Sequence, residues 1–539
     1  MFGVDATFAK TIDWTLAISR VMSDIRSDFI LAPHLSCVFA DSPDMLVDEV
    51  KGLLSAGKFT PQLPITIDIP KKQRINKASG IKRQSPNFVR TGGILMPPDR
   101  LVYQVLADVA QPLIEKKLNR KICFSHQPAG AKHLSRMFKT SRECWTEMQA
   151  TLKGLETAAG ASIVLRGDVA SCFQSINQHT LVNMLDAAGF PKPLTKPLES
   201  MLVQMSTSRS SRGILQGLYP SDLLGNFYLY PLDRYLADSH IPSVRYVDDI
   251  YAFFKNHEES DRHIISIFRE LRLLDLQFNE SKTRVMTPGG LQTSDPDLDA
   301  MFGAAIEEIE AGLKEDDYEE IATDYGFQTI WHEQQPEIDE STIAIEATVK
   351  LFDESAKYPD SVEEIERFCL PLFAAFDSDY ALDHVLGKLE SEASMSQIYF
   401  NYLSNFLEEA KVESKILDVI AARKLRFDWE YIWAIACVIK MTKVSDDGVA
   451  ALLSLAKDTS EESVCALAVI AAVKHGDYDR QKGVVAAIEK DASPYIRGAV
   501  LFAARYMHKA LRKNVLDLLE NQSSLYGMIA NSTKKQPVK

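Results

Sequence analysis

Apolar and polar positions change rhythm twice along the 539 residues, and the changes divide the chain. Residues 1–60 carry apolar positions at helical spacing, interrupted by loops and ending at Gly57 and the stretch from Pro61 to Pro70. Residues 61–150 hold turn-rich pieces (KKQRINKASGIKRQSPN, RTGGILMPPDR) and then a helical pattern from Asp99 to about Leu118. Between 161 and 290 short apolar runs alternate with helices. Ala161–Leu165 predicts a strand, Leu223–Leu236 a helix, Ser243–Phe254 a hairpin and Asp261–Leu276 a further helix. After Thr287-Pro-Gly-Gly290 and the acidic loop SDPDLD the pattern is almost wholly helical. Three of its segments, starting at Asp428, Glu461 and Ser493, align so that matching positions stand 33 to 34 residues apart. Small residues coincide as Ala434/Ala468, Cys437/Ala471 and Ala471/Ala504. That repetition predicts stacked helix pairs of a HEAT-like solenoid. The divisions expected are therefore 1–60, 61–290 and 291–539.

Composition sharpens this picture. Hydrophobic residues at 46% and charged residues at 25% mark a globular chain. No apolar run approaches the roughly 20 residues that span a bilayer, and the opening MFGVDATFAKTIDW has no signal-peptide pattern. Seven scattered cysteines without a CxxC pair predict reduced thiols in a cytoplasmic protein, neither disulfides nor a zinc site. The net charge of −14 is unevenly placed. Residues 1–290 hold 35 Lys+Arg against 29 Asp+Glu, a net of +6, and the remainder holds 25 against 45, a net of −20. Residues 51–150 alone reach +12, from 18 against 6. A basic stretch beside an acidic one predicts a localised phosphate-binding surface, alongside the simpler reading of the acidic half as a solvated scaffold.

The candidate chemistry sits in four segments. Ile163–Phe173 (IVLRGDVASCF) delivers Asp168 from a buried strand, with Phe173 five residues on. Gly213–Ser221 (GILQGLYPS) runs into a helix through Gly225-Asn226 to Leu232-Asp233. Arg245–Tyr251 (RYVDDIY) sets Asp248 and Asp249 between apolar flanks, and Leu276–Thr283 (LQFNESKT) closes the series. Two Mg²⁺ ions ~3.5–4 Å apart clamp the attacking and leaving oxygens in nucleotidyl transfer, and such hard cations take carboxylate oxygens. Asp168, Asp248 and Asp249 are the candidate metal ligands and catalytic residues. Burying three carboxylates together without a cation is costly. Two other pairs, Asp316-Asp317 and Asp446-Asp447, stand in polar surroundings and predict solvated loops.

In order and spacing, these segments resemble motifs A, B, C and D of reverse transcriptases. Pro70-Lys71, Gly80, Arg83 and Pro98-Asp99-Arg100 resemble the family's fingers pattern. The likeness covers roughly residues 65–290 and implies an α+β right-hand polymerase, fingers and palm, followed by the all-α repeat domain. It implies that Asp168 and Asp248 ligate metal directly, with Asp249 completing the set and Mn²⁺ able to replace Mg²⁺. Phe173 becomes the gate under the sugar that favours dNTPs. Gln216 and Gly217 shape the nucleotide pocket, Lys71 and Arg83 reach the triphosphate, and Lys282 lies near the leaving pyrophosphate. Core packing for Phe173 and surface roles for Lys71 and Lys282 are the plain alternatives.

After motif D no FLG-like primer grip is found, nor a retron-like VTG signature, and some 240 acidic helical residues follow. A polymerase core before a large helical-repeat domain is similar to the abortive-infection (Abi) reverse transcriptases of bacteria and prophages. That resemblance implies anti-phage defence, a homo-oligomer, and template-independent synthesis of single-stranded DNA primed on, and attached to, a protein hydroxyl. A phage component is a possible partner, and no membrane is involved. The alternatives are an RNA-templated reverse transcriptase working with its own noncoding RNA, an RNA polymerase, and a non-catalytic binding scaffold.

Overall fold

A computed structural model describes residues 1–4, 10–77, 85–130, 133, 135–158, 160–206, 211–291, 301–303, 305–306, 340–358 and 361–537. In chain order come helices α1 (Trp14–Asp24), α2 (Pro33–Asp41) and α3 (Pro43–Ser55). The hairpin β1 (Ile65–Arg74) and β2 (Asn87–Ile94) follows, and then α4 (Pro97–Glu115) and α5 (Ser141–Ala158). The next stretch holds β3 (Ile163–Asp168), the short α6 (Cys172–Ser175), α7 (Gln178–Ala187), α8 (Lys192–Met205), α9 (Tyr219–Tyr228) and α10 (Tyr230–Asp238). Then come β4 (Ser243–Tyr246), β5 (Asp249–Phe254), α11 (His257–Leu273) and β6 (Arg284–Met286).

The helix expected over Leu223–Leu236 is two helices, broken at Leu229. Pro231 has no N–H to continue the ladder, so it starts α10 instead of extending α9. The strand and hairpin fall where expected.

The chain gathers into two compact units. The first comprises Met1–Asp28, Pro43–Pro64 and Leu95–Asp295; the second comprises Phe29–Ser42, Ile65–Ile94 and Pro296–Lys539. The division differs from the boundaries at 60 and 290, because hairpin β1–β2 clusters with the C-terminal helices and not with the strands that carry the aspartates. Electrostatics inside the second unit accompany this. Lys72 on β1 meets Glu364 at 2.7 Å, and Arg74 meets Glu392 at 2.6 Å. Part of the basic segment is thus engaged by carboxylates of the acidic half.

The first unit is built on an antiparallel sheet ordered β4-β5-β3-β6. One face carries Val164, Val244, Tyr251 and Phe253, which pack with Phe124 and with Met148 and Leu152 of α5. Helix α11 lies against β3 and β5. Its apolar positions are spaced for this, and Ile267 and Leu271 are fully buried.

The second unit, besides its hairpin, is helical over its described residues. Helices α12 (Asp428–Lys440), α13 (Asp446–Asp458), α14 (Glu462–His475), α15 (Tyr478–Asp491), α16 (Pro494–Ala503) and α17 (Lys509–Leu519) follow one another. Helix α14 packs against α12, α13 and α16. Ala434, Cys437, Ala468, Ala471 and Ala504 are all buried, and their small side chains permit close approach of the helices. Asp446 and Asp447 lie exposed in the first turn of α13, as solvated residues do; Asp316 and Asp317 lie outside the described residues. All seven cysteines are free thiols. Among the described residues no helix is long and apolar enough to cross a membrane.

Candidate active site

The apolar run of β3 fixes Asp168 at the end of a central strand, where it pairs across the sheet with Asp249, the first residue of β5. Tyr246 pairs with the same Asp249 from β4, so Val247 and Asp248 form the tip of the β4–β5 turn. The Val169 N–H donates to the Asp248 carbonyl at 3.1 Å, binding that tip to the segment just beyond β3. Register alone therefore gathers the three aspartates at one edge of the sheet.

Motif D holds Asp168 from the other side. The Asn279 N–H donates to the Asp168 carbonyl at 2.7 Å, the Asp168 N–H reaches Thr283 Oγ1 at 3.4 Å, and Lys282 Nζ meets Asp168 Oδ1 at 2.9 Å. Gly167 is needed here: a Cβ would stand 2.4 Å from the Phe278 ring, which fills that space.

Burial pushes the Asp249 carboxyl up to about 7, with the negative charges of Asp248 and Asp168 adding to it. Asp248 is raised by the same causes, burial first and then Asp168. Carboxylates so crowded favour either a proton or a cation. As they stand, no group of three His, Cys, Asp or Glu side chains among the described residues is drawn together to hold a metal ion. Asp168 turns an oxygen to Lys282 instead. The donors themselves, carboxylate oxygens at a strained electrostatic position, are the kind Mg²⁺ takes.

Phe173 is buried on α6, and its ring lies on the bare face of α9. A Cβ at Gly225 would come within 2.9 Å of it. The Ile214 N–H donates to the Phe173 carbonyl at 3.0 Å, and the Gly213 N–H to the Ile176 carbonyl at 2.8 Å, tying the motif B segment to motif A. Gly217, at φ +87°, lets the chain turn into α9, with the half-buried Gln216 just before it. Gln216, Gly217, Phe173, Lys282 and the aspartates thus share the first unit. Lys71 lies on β1 in the second unit, and Arg83 lies outside the described residues.

Sequence reasoning assigned no role to the residues beneath the β4–β5 turn. Arg245 is fully buried and forks onto Asp233 of α10, Nε to Oδ1 at 2.7 Å and Nη2 to Oδ2 at 2.6 Å; both side chains are 0% exposed. Its Nη1 donates to Asn226 Oδ1 at 2.9 Å and to the Val247 carbonyl at 2.7 Å. Ser125 Oγ donates to the same Asn226 oxygen at 3.0 Å and accepts the Val247 N–H at 2.9 Å. The signal was an arginine inside an apolar strand, since a buried guanidinium requires a carboxylate. Arg100 likewise grips Asp28 at 2.6 Å and Asp24 at 3.0 Å, and Asp24 accepts the Tyr219 N–H at 3.2 Å, anchoring the start of α9.

Residues 105–339 match the family model described as reverse transcriptase (RNA-dependent DNA polymerase). No curated protein matches the chain. Similar solved structures include telomerase from Candida albicans in complex with a TWJ fragment of telomeric RNA. That likeness has 12% identity and a TM-score of 0.30, covering 89% of this chain and 67% of that one. Telomerase from Candida tropicalis with the same kind of fragment gives 12% identity and 0.30, over 76% and 64% of the two chains. The apo Candida tropicalis enzyme gives 9% and 0.28, over 91% and 73%. Asp168, Asp248 and Asp249 all fall inside the matched segment, which supports a reverse-transcriptase family for that part of the chain.

Proposed function

We propose that the chain is a DNA polymerase of reverse-transcriptase type that joins dNTPs by two-metal nucleotidyl transfer without a template. The observation that carries the chemistry is the Asp168–Asp249 register with Asp248 at the adjoining turn. In this reading Asp168, Asp248 and Asp249 hold two Mg²⁺ ions, which would stabilise the attacking and leaving oxygens. Lys282, already within 2.9 Å of Asp168, screens charge building on the departing pyrophosphate. Phe173, wedged on Gly225, stands under the sugar and disfavours a 2′-hydroxyl. Gln216 and Gly217 line the nucleotide pocket, and for Lys71 and Arg83 a role toward the triphosphate rests on the family resemblance alone.

The untemplated and defensive parts rest on the likeness to the abortive-infection enzymes. The missing FLG-like primer grip and the net charge of −20 after residue 290 support them, since a long template–primer duplex favours a basic cradle. The C-terminal helices are proposed to form a HEAT-like scaffold for a homo-oligomer, acting in the cytoplasm, with a protein hydroxyl as primer and a phage component as a partner. The match to an RNA-dependent polymerase family favours, as second reading, templated synthesis on a noncoding RNA.

The deciding experiment incubates purified protein with dNTPs and Mg²⁺ and no nucleic acid, then treats the product with protease. Untemplated synthesis gives DNA whose mobility changes on proteolysis. Incorporation only when RNA is added overturns it in favour of the second reading. Biological activity that survives Asp248→Asn with Asp249→Asn overturns catalysis altogether.

A further inference from the structure

Val247 has φ +52°, and among the described non-glycine residues with positive φ it is the one β-branched side chain. Such a residue is a genuine outlier in the left-handed region, because its branched Cβ crowds the following carbonyl. The two-residue turn between Tyr246 and Asp249 normally places glycine first when only that position has positive φ. A strained valine persists only where its surroundings over-determine it. Here both of its amide groups are held. Its N–H goes to Ser125 Oγ at 2.9 Å, and its carbonyl accepts from Arg245 Nη1 at 2.7 Å. The two holders meet on one atom, Asn226 Oδ1, at 3.0 and 2.9 Å. Asn226 is itself fastened by donating Nδ2 to the Ser125 carbonyl at 2.9 Å.

We propose that Ser125, Asn226 and Arg245 form a clamp that keeps Val247 left-handed and so fixes the direction of the Asp248 and Asp249 carboxylates. They act as positioning residues for the transfer chemistry. Asp233 supplies the counter-charge of Arg245 through Nε and Nη2, so Nη1 is left to reach the turn, where it bridges Asn226 Oδ1 and the Val247 carbonyl. Ser125 Oγ gives its one proton to Asn226 and keeps a lone pair for the turn amide. What both bonds do is select one backbone state at the residue preceding the paired aspartates. The inference rests on the proposed nucleotidyl transfer for its kinetic readout, but not for its metal readout.

The test is a double-mutant cycle of Ser125→Ala and Val247→Gly, since glycine takes positive φ without strain. Incorporation kinetics, Mn²⁺ titration followed by electron paramagnetic resonance, and the melting temperature are read for each variant. Ser125→Ala is expected to lower kcat about tenfold, with KM for dNTP changed less than about twofold, and to weaken Mn²⁺ binding by a similar factor. Adding Val247→Gly should recover most of both losses without recovering the melting temperature. If Ser125 acted only through stability, the double variant would recover neither loss, because a turn glycine loosens the unfolded chain and lowers stability further. Ser125→Ala within twofold of the parent in both readouts overturns the clamp, as does a loss that persists in the double variant. Should the alanine variant fail to fold, Ser125→Cys, which keeps a weaker acceptor in place, takes its part in the cycle. If the parent protein incorporates no nucleotide under any condition, the proposed function falls while the Mn²⁺ titration still decides the clamp.

Discussion

Asp249 makes the crowding of the aspartates measurable. In the metal-free fold its carboxyl titrates at about 7, against 3.8 for the free group, with burial as the first cause and Asp248 and Asp168 adding to it. Between those two values the folded chain binds more protons than the unfolded one, so stability falls as pH rises from about 4 to about 7 and stays low above. At about 1.4 kcal/mol per pH unit, the gap corresponds to roughly 4 kcal/mol. Water reaches the half-buried carboxylate and trims that figure, so Asp249→Asn is expected to stabilise the metal-free protein at pH 8 by about 1–3 kcal/mol. For a unit of this size, that amounts to a rise of about 2–4 °C in Tm per kcal/mol. The assay is a series of thermal melts from pH 5 to pH 8 in chelator, parent beside variant. The gap should be widest at pH 8 and close towards pH 5. Added Mg²⁺ at pH 8 should raise the parent and narrow the gap. A variant that is no more stable than its parent at pH 8, or a gap independent of pH, refutes the reasoning.

Arg245→Met should cost about 3–5 kcal/mol, because it leaves Asp233 buried and uncompensated; Arg245→Met with Asp233→Leu should cost less, and urea unfolding distinguishes them. Gly225→Ala should push the Phe173 ring aside at a cost of about 1–3 kcal/mol. Its dNTP incorporation should fall at least about tenfold while circular dichroism stays unchanged. Lys282→Ala should lower kcat about 10²-fold with little change in Tm, since its ammonium is exposed and its ion pair with Asp168 adds little stability; an unchanged kcat excludes a part in the chemistry.

Much of this is legible in the sequence. The strand ending at Asp168, the Asp248–Asp249 turn and the helix over α11 follow from the alternation of apolar and polar residues, which local geometry enforces. The break at Leu229 was missed, although Pro231 is the residue that causes it. The partnership of hairpin β1–β2 with the C-terminal helices was not legible. It depends on Lys72 finding Glu364 and Arg74 finding Glu392, and no periodicity relates residues so distant in sequence. Arg245 lay in plain sight, but only the fold supplies Asp233 and Ser125 to give it a task.

The aspartates show why one kind of residue is readable and another is not. Asp248 and Asp249 stood out because apolar residues flank them, while Asp446-Asp447 lay among polar ones. Those flanks draw the turn into the protein, and that burial is the first cause that raises both carboxyls. The feature that reveals the pair is therefore the feature that makes it hungry for a cation. A supporting residue such as Ser125 carries no such conflict. It is a small polar side chain satisfied by short hydrogen bonds, which is why it leaves no mark on the sequence and why its role has to be reached through the strained valine it holds.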